Sequence, residues 1–145
     1  MRTIRLACAL ACALSLGWVA PARASARNRV VWTEVTVGAR NTRRDLDRFL
    51  KQVVESQAMR TDWGPHARTP LEARLEVTQF AIARSKDVVR VTCTGTGKLN
   101  GGPSVRSHFS MGGRPAGQAE LERRVLTMLG RGIVGRLAQI ARSSG

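Results

Sequence analysis

The chain is short, strongly basic and poor in cysteine. Its 145 residues carry 24 Lys and Arg against 10 Asp and Glu, which gives a formal net charge of +14. This length suits one domain with one hydrophobic core, and it argues against a multidomain protein. Of the three cysteines only Cys93 lies beyond residue 12, so the main part of the chain has no partner for an internal disulfide and must be stabilised by packing.

The first 24 residues have the three parts of a secretory signal. Arg2 and Arg5 precede an apolar run over residues 6–20, and the segment ends on Ala22-Arg23-Ala24. We therefore predict a signal peptide at 1–24, cleavage after Ala24, and a periplasmic or secreted protein. Cleavage removes three arginines and no acid, so the net charge falls from +14 to +11. No second run of 18 apolar residues follows, and we expect no transmembrane segment after cleavage.

A lipoprotein signal is the alternative for this segment. In that case Cys8 or Cys12 would be the lipidated first residue of the mature chain. Arg5 stands three residues before Cys8, and Ala9 stands where Cys12 would be expected to have a leucine. Both substitutions argue against lipidation.

The remainder, 25–145, begins with a strand and a helix. Residues 30–37 are nearly all β-branched and alternate in polarity, which predicts a strand with Val31, Thr33, Val35 and Val37 on the inner face and Trp32, Glu34 and Thr36 on the outer face. A helix is predicted over 42–59, with Asn41 or Thr42 as its cap. Its apolar residues recur at helical spacing: Leu46, Phe49, Leu50, Val53 and Val54.

Three strands connected by short turns follow. The first runs over 71–82, and its inward phase shifts near Thr78–Gln79, which indicates a bulge. A turn at 85–87 leads to a strand in which Val89, Val91 and Cys93 face inward. Residues 100–102, Asn-Gly-Gly, favour a hairpin turn because both residue types accept positive φ. The last strand is predicted over 104–111.

A long amphipathic helix is predicted over 116–142. Its expected buried stripe is Leu121, Val125, Met128, Leu129, Ile133, Leu137 and Ile140. Residues 130–135 match the dinucleotide fingerprint Gly-x-Gly-x-x-Gly, but that fingerprint works only where a strand turns into a helix. Inside a helix, Gly132 and Gly135 instead predict a close approach to the sheet.

Together these elements predict an α+β domain of order β-α-β-β-β-α: a four-stranded, mainly antiparallel sheet with two helices on one face. The opposite face of the sheet would then be uncovered. Its basic residues, Arg74, Arg90, Lys98, Arg106 and His108, form the candidate surface for an anion or a protein partner.

No catalytic, cofactor-binding or metal-binding set is found. His66 and His108 are far apart in sequence, and with Cys93 they do not make a zinc-ligand spacing. Glu72 and Glu76 flank Arg74, which indicates a cross-strand ion-pair ladder and not an acid–base pair. The scarcity of aromatic residues and the predicted export argue against nucleic-acid binding.

The element order after a signal peptide resembles small envelope accessory domains of Gram-negative bacteria, such as the lipopolysaccharide-assembly lipoprotein and the N-terminal domain of the Tol-system periplasmic protein. The resemblance covers most of residues 30–142 and implies a non-catalytic helper that binds envelope proteins or glycolipid. We expect a non-enzymatic binding module that acts through the basic strand face or an edge strand. The alternatives are a binder of anionic envelope polymer, such as lipopolysaccharide, and a cryptic hydrolase.

Overall fold

The computed structural model describes residues 30–38, 44–64 and 70–144. The predicted signal peptide, the capping residues Asn41 and Thr42, and His66 lie outside these ranges. The helices and strands are β1 (Val30–Val37), α1 (Arg44–Arg60), β2 (Leu71–Ser85), β3 (Val88–Leu99), β4 (Ser104–Gly113) and α2 (Gln118–Ser143), with one 3₁₀ turn at Pro115–Gly117 before α2.

The four strands form one sheet in the order β1-β2-β3-β4. β1 runs parallel to β2, because the chain crosses through α1 between them, while β2, β3 and β4 are successive antiparallel neighbours. Gly101, with a φ of 74°, makes the tight turn between β3 and β4. The predicted fold class is therefore confirmed.

Two register shifts alter which residues face the core. In β2 the pairing passes from Val77 to Gln79 and leaves Thr78 as an extra residue, which confirms the predicted bulge. In β1 the pairing passes from Trp32 to Glu34 and leaves Thr33 unpaired. Because one extra residue inverts the alternation, Trp32 is buried and Val31 is 41% exposed. The prediction that Val31 and Thr33 share the inner face with Val35 and Val37 is wrong for this reason.

Both helices pack on the same side of the sheet, α1 against β1, and α2 against β3, β4 and α1. The buried surface of α2 is wider than the single apolar stripe that was predicted, because the sheet and α1 contact different sides of the helix. Leu126, Val134 and Ala138 are fully buried in addition to most of the predicted stripe. Met128 is 41% exposed, so its predicted burial is wrong.

The glycines at 130–135 lie inside α2, as predicted, but their roles differ. A Cβ on Gly132 would lie 3.4 Å from Phe109 Cζ, at the limit of ordinary van der Waals contact with a side-chain end, so glycine is not needed here for the approach to β4. Nothing lies within 4 Å of a Cβ on Gly135, which corrects its predicted role. Gly130 instead allows the close approach of α1, where Val54 Cγ1 would lie 3.1 Å from its Cβ.

Candidate functional site

The uncovered side of the sheet, which we call the open face, carries every predicted basic site residue. In each strand these residues alternate with buried ones, so their side chains point away from the helices. No described residue is packed over this side of the sheet to form a second layer. The exposed side chains are Arg74, Arg90, Lys98, Arg106 and His108.

The register brings three of these cations together. Arg74 pairs directly with Lys98 across β2 and β3. Lys98 pairs with Ser104, while Arg106 pairs with Thr96, so Lys98 and Arg106 are diagonal neighbours. Arg90 lies at the other end of β3, about 26 Å from Lys98 at about 3.3 Å per residue. The predicted surface is thus a cluster of Arg74, Lys98 and Arg106 with Arg90 far from it.

Carboxylates lie among these cations. Parallel pairing places Glu34 directly beside Arg74, and Glu76 pairs with Thr96 in the same row as Arg106. Glu72 accepts a hydrogen bond from Asn100 Nδ2 at 3.2 Å. No ion pair joins Glu72, Arg74 and Glu76, so the expected ladder does not form. Glu34 was predicted on the outer face of β1, but its position beside Arg74 depends on the register of β1 against β2, which the sequence pattern does not give.

The middle of the open face is a row of hydrogen-bonded polar side chains. Thr94 Oγ1 lies 2.9 Å from His108 Nδ1 and 3.4 Å from Gln79 Oε1. In the next row, Thr92 Oγ1 lies 3.1 Å from Ser110 Oγ. Thr94 is 2% exposed because its neighbours cover it. These bonds hold His108 in one orientation, as part of a polar platform.

The far half of β2 has a free backbone edge. β1 ends at Val37, opposite Val77, so beyond the bulge β2 is paired only with β3 among the described residues. We call Gln79–Ser85 the free edge. Its side chains are exposed or half-buried, and Ile82 is 37% exposed. The signal that could have found it is length, since β2 is 15 residues long and β1 only eight.

The two outer edges of the sheet are partly occupied by side chains of the helices. On β1, the Val37 amide donates to Asp47 Oδ1 of α1 at 2.7 Å. On β4, Arg136 Nη1 of α2 donates to the Arg106 carbonyl at 3.1 Å. No side chain among the described residues bonds the backbone of Gln79–Ser85 in this way. Within the described part of the chain, the free edge is therefore available to pair with another strand.

A series of hydrogen-bonded side chains, buried only at Glu122, connects the end of the free edge to α2. Arg84 Nη2 donates to Gln118 Oε1 at 2.6 Å, and Gln118 Nε2 donates to Glu122 Oε1 at 2.7 Å. Glu122 is 1% exposed. A buried carboxylate held by hydrogen bonds fixes the geometry of its neighbours. The Arg84 side chain consequently connects the end of the β2–β3 hairpin to α2.

The described residues hold no group of three or more His, Cys, Asp or Glu side chains that could bind a metal ion. Cys93 lies in the core beneath α2 with no exposed surface. Burial raises the pKa of the Cys93 thiol to about 12. This thiol is therefore uncharged at neutral pH and is inert, as predicted for a small core residue. No helix in the described part of the chain is long and apolar enough to cross a membrane.

No protein-family model matches the chain, and no curated protein sequence matches it. It is similar to a solved lipoprotein candidate from Caulobacter crescentus CB15, with 15% identity and a TM-score of 0.48 over 66% of this chain and 82% of the other. It is also similar to a minor lipoprotein from Acinetobacter baumannii, with 14% identity and a TM-score of 0.44 over 76% of this chain and 93% of the other. What the site binds has to be inferred from its own side chains.

Proposed function

We propose that the protein is an exported, non-catalytic binding module that takes up an extended segment of a partner protein at the free edge of β2. The observation that carries the proposal is the length of β2 at Gln79–Ser85 that no described strand pairs on the side away from β3. Such an edge offers N–H and C=O groups to another chain, which is how strand addition gives affinity. Export is supported by the three-part pattern of residues 1–24.

The side chains of the free edge suit this role. Proteins usually protect an edge with proline, with an inward-facing charge or with a covering element. Here the sequence is Gln-Phe-Ala-Ile-Ala-Arg-Ser, without proline, and its one charged residue, Arg84, faces α2 at the far end of the edge. Ala81 and Ala83 leave room on the open face, while Phe80 and Ile82 present apolar surface on the other side. Alternating small and apolar positions would give specificity to the added strand.

The connection of the edge to α2 favours binding as well. The hydrogen bonds from Arg84 to Gln118 and from Gln118 to Glu122 restrain the end of the hairpin before a partner arrives. A strand that is already ordered loses less conformational entropy on binding than a flexible loop does. We therefore expect the backbone of residues 79–85 to be ordered in the free protein.

Photocrosslinking tests the proposal. A photoreactive phenylalanine analogue is placed at Ala81 in the protein as the cell processes it, with matched placements at Arg106 on the open face and at the exposed Gln139 on α2. Envelope extract is added and the adducts are sequenced. We expect adducts at position 81 and gained amide protection in residues 79–85. Strand addition would be rejected if the adducts form mainly with the probe at position 106. It would also be rejected if the probe at position 81 gives no more adducts than the probe at position 139.

The clustering of Arg74, Lys98 and Arg106 favours a second candidate, a binder of anionic envelope polymer. In that case binding to lipopolysaccharide would weaken steeply between low and physiological salt, because several exposed charges contribute. Glu34 and Glu76 lie among these cations and reduce their attraction for a polyanion. Reversal of Arg90 and Arg106 to Glu distinguishes the candidates, since it should abolish polymer binding and leave strand addition intact.

A further inference from the structure

The outer side of the helical layer holds a separate groove. It lies between α1 and α2, on the side of the molecule away from the open face, and has a volume of about 250 Å³. Drug-sized pockets measure about 300–1,000 Å³, so this groove suits a smaller molecule. The lining side chains that matter here are Phe49, Val53, Ser56, Arg60, Thr127 and Arg131.

Two unpaired guanidinium groups give the groove its charge. The ion pairs of the helical layer among the described residues are Lys51–Glu55 and Arg124–Glu120, and neither reaches the groove. Arg60 and Arg131 have no hydrogen bond or ion pair with a described residue, and no carboxylate lines the groove. Two arginines with free donors at one concave surface form a receptor for a phosphate or carboxylate.

Arg60 is not needed to end its helix. An arginine in the last turn often bonds the final carbonyl groups. Here Thr61 Oγ1 donates to the Gln57 carbonyl at 2.7 Å, and Trp63 Nε1 donates to the Ala58 carbonyl at 3.0 Å. The carbonyls of Gln57 and Ala58 are thus bonded by side chains other than Arg60, and the Arg60 guanidinium makes no bond to the end of its own helix.

The remaining lining residues restrict the ligand further. Thr127 Oγ1 donates its proton to the Arg123 carbonyl at 2.8 Å, so this oxygen can only accept a hydrogen bond from a ligand. Its partner would be a ligand hydroxyl. The half-buried Val53 and the part of Phe49 not covered by the Arg123 guanidinium, which lies 5.7 Å from the ring centroid, supply an apolar floor for carbon atoms. Ser56 can donate its hydroxyl proton to an anionic oxygen.

We propose that this groove binds a phosphorylated polyol. Its phosphate contacts Arg60 and Arg131, a neighbouring hydroxyl donates to Thr127, and its carbon backbone lies on Phe49 and Val53. The same chemistry is present in a free glycerol phosphate and in a phosphatidylglycerol headgroup at a membrane surface. This site is independent of the free edge, which lies on another part of the molecule.

Titration of the protein, as the cell processes it, with sn-glycerol 3-phosphate tests the site. The readouts are the affinity by calorimetry and the amide chemical shifts of Ser56 and Thr127. A second arm measures binding to phosphatidylcholine vesicles with and without phosphatidylglycerol. Saturable binding of sn-glycerol 3-phosphate would show that a free polyol phosphate is a sufficient ligand. Binding only to the vesicles that contain phosphatidylglycerol would identify the lipid headgroup as the ligand. Either result supports the proposal.

Charge-matched variants decide whether the groove is responsible. Arg60→Gln and Arg131→Gln should each weaken binding about tenfold, the expected cost of one charge-assisted hydrogen bond. Arg48→Gln on α1 and Arg90→Gln on the open face remove the same charge at positions outside the groove. These two variants should change the affinity for the ligand less than about twofold. Thermal melting checks that each variant folds. Equal losses in all four variants, or no saturable binding in either arm, would overturn the proposal.

Discussion

Gly97 of β3 lies directly beneath Ile133 of α2, so closely that a Cβ on residue 97 would collide with Ile133 Cγ2. It would also lie 3.2 Å from Leu137 Cδ1. The colliding methyl is attached at Cβ of a helical residue and has little freedom to move away. We expect Gly97→Ala to lower the free energy of unfolding by about 1–3 kcal/mol, measured by urea denaturation.

A double-mutant cycle identifies the cause of that loss. Ile133→Ala removes the colliding methyl group, so the Gly97→Ala, Ile133→Ala protein should lose less stability than the two single losses added together. Strict additivity would mean that the two residues do not collide, and that the loss at residue 97 has another origin.

Substitution by alanine should have different effects on stability at Gly130 and at Gly135 of α2. Gly135 is exposed, with nothing within 4 Å of a Cβ, so Gly135→Ala should stabilise the protein by up to about 1 kcal/mol through helix propensity alone. At Gly130 the same substitution places a Cβ 3.1 Å from Val54 Cγ1 and 3.2 Å from Val53 Cγ1. Gly130→Ala should therefore melt at a lower temperature than Gly135→Ala. The opposite order would contradict the packing of α1 against α2.

The two buried tryptophans should differ in their tolerance of phenylalanine. Trp32 Nε1 is buried without a hydrogen-bond partner among the described residues, whereas Trp63 Nε1 donates to the Ala58 carbonyl at 3.0 Å. A buried unsatisfied donor costs about 1–3 kcal/mol, so its removal offsets the loss of packing in Trp32→Phe. Trp63→Phe loses both packing and a hydrogen bond. Chemical denaturation should show the larger loss of stability for Trp63→Phe, and equal losses would refute the assignment of the Trp32 donor.

The pH dependence of stability should reveal the buried thiol of Cys93. Its pKa is raised from 9.0 to about 12 in the folded protein, so the unfolded chain loses this proton first as the pH rises. The contribution of the protonated thiol to the free energy of unfolding is therefore complete below pH 9. It is lost progressively between pH 9 and 12, by up to about 1.4 kcal/mol per pH unit. Cys93→Ala should lack this part of the decline. Parallel profiles for the two proteins would show that the thiol ionises equally in both states.

Most of the secondary structure could be predicted from local sequence patterns. The period-2 alternation of β2 to β4, the helical spacing of α1 and α2, and the turn residues at 100–102 specify their elements independently of distant contacts. The placement of Arg74, Arg90, Lys98, Arg106 and His108 on one face followed from the same alternation. Trp32 shows the limit of this reasoning, since the extra residue at Thr33 is recognisable only once β1 pairs with β2.

The sequence by itself determined the α+β order, the amphipathic faces and the basic side of the sheet, because side-chain alternation and turn chemistry act between near neighbours. Only the tertiary structure decided which edge of the sheet is free, that Glu122 is buried, and that Arg60 and Arg131 line one groove. Each of these depends on two segments that are distant along the chain. Their register and distance result from packing of the whole core, which no local pattern specifies.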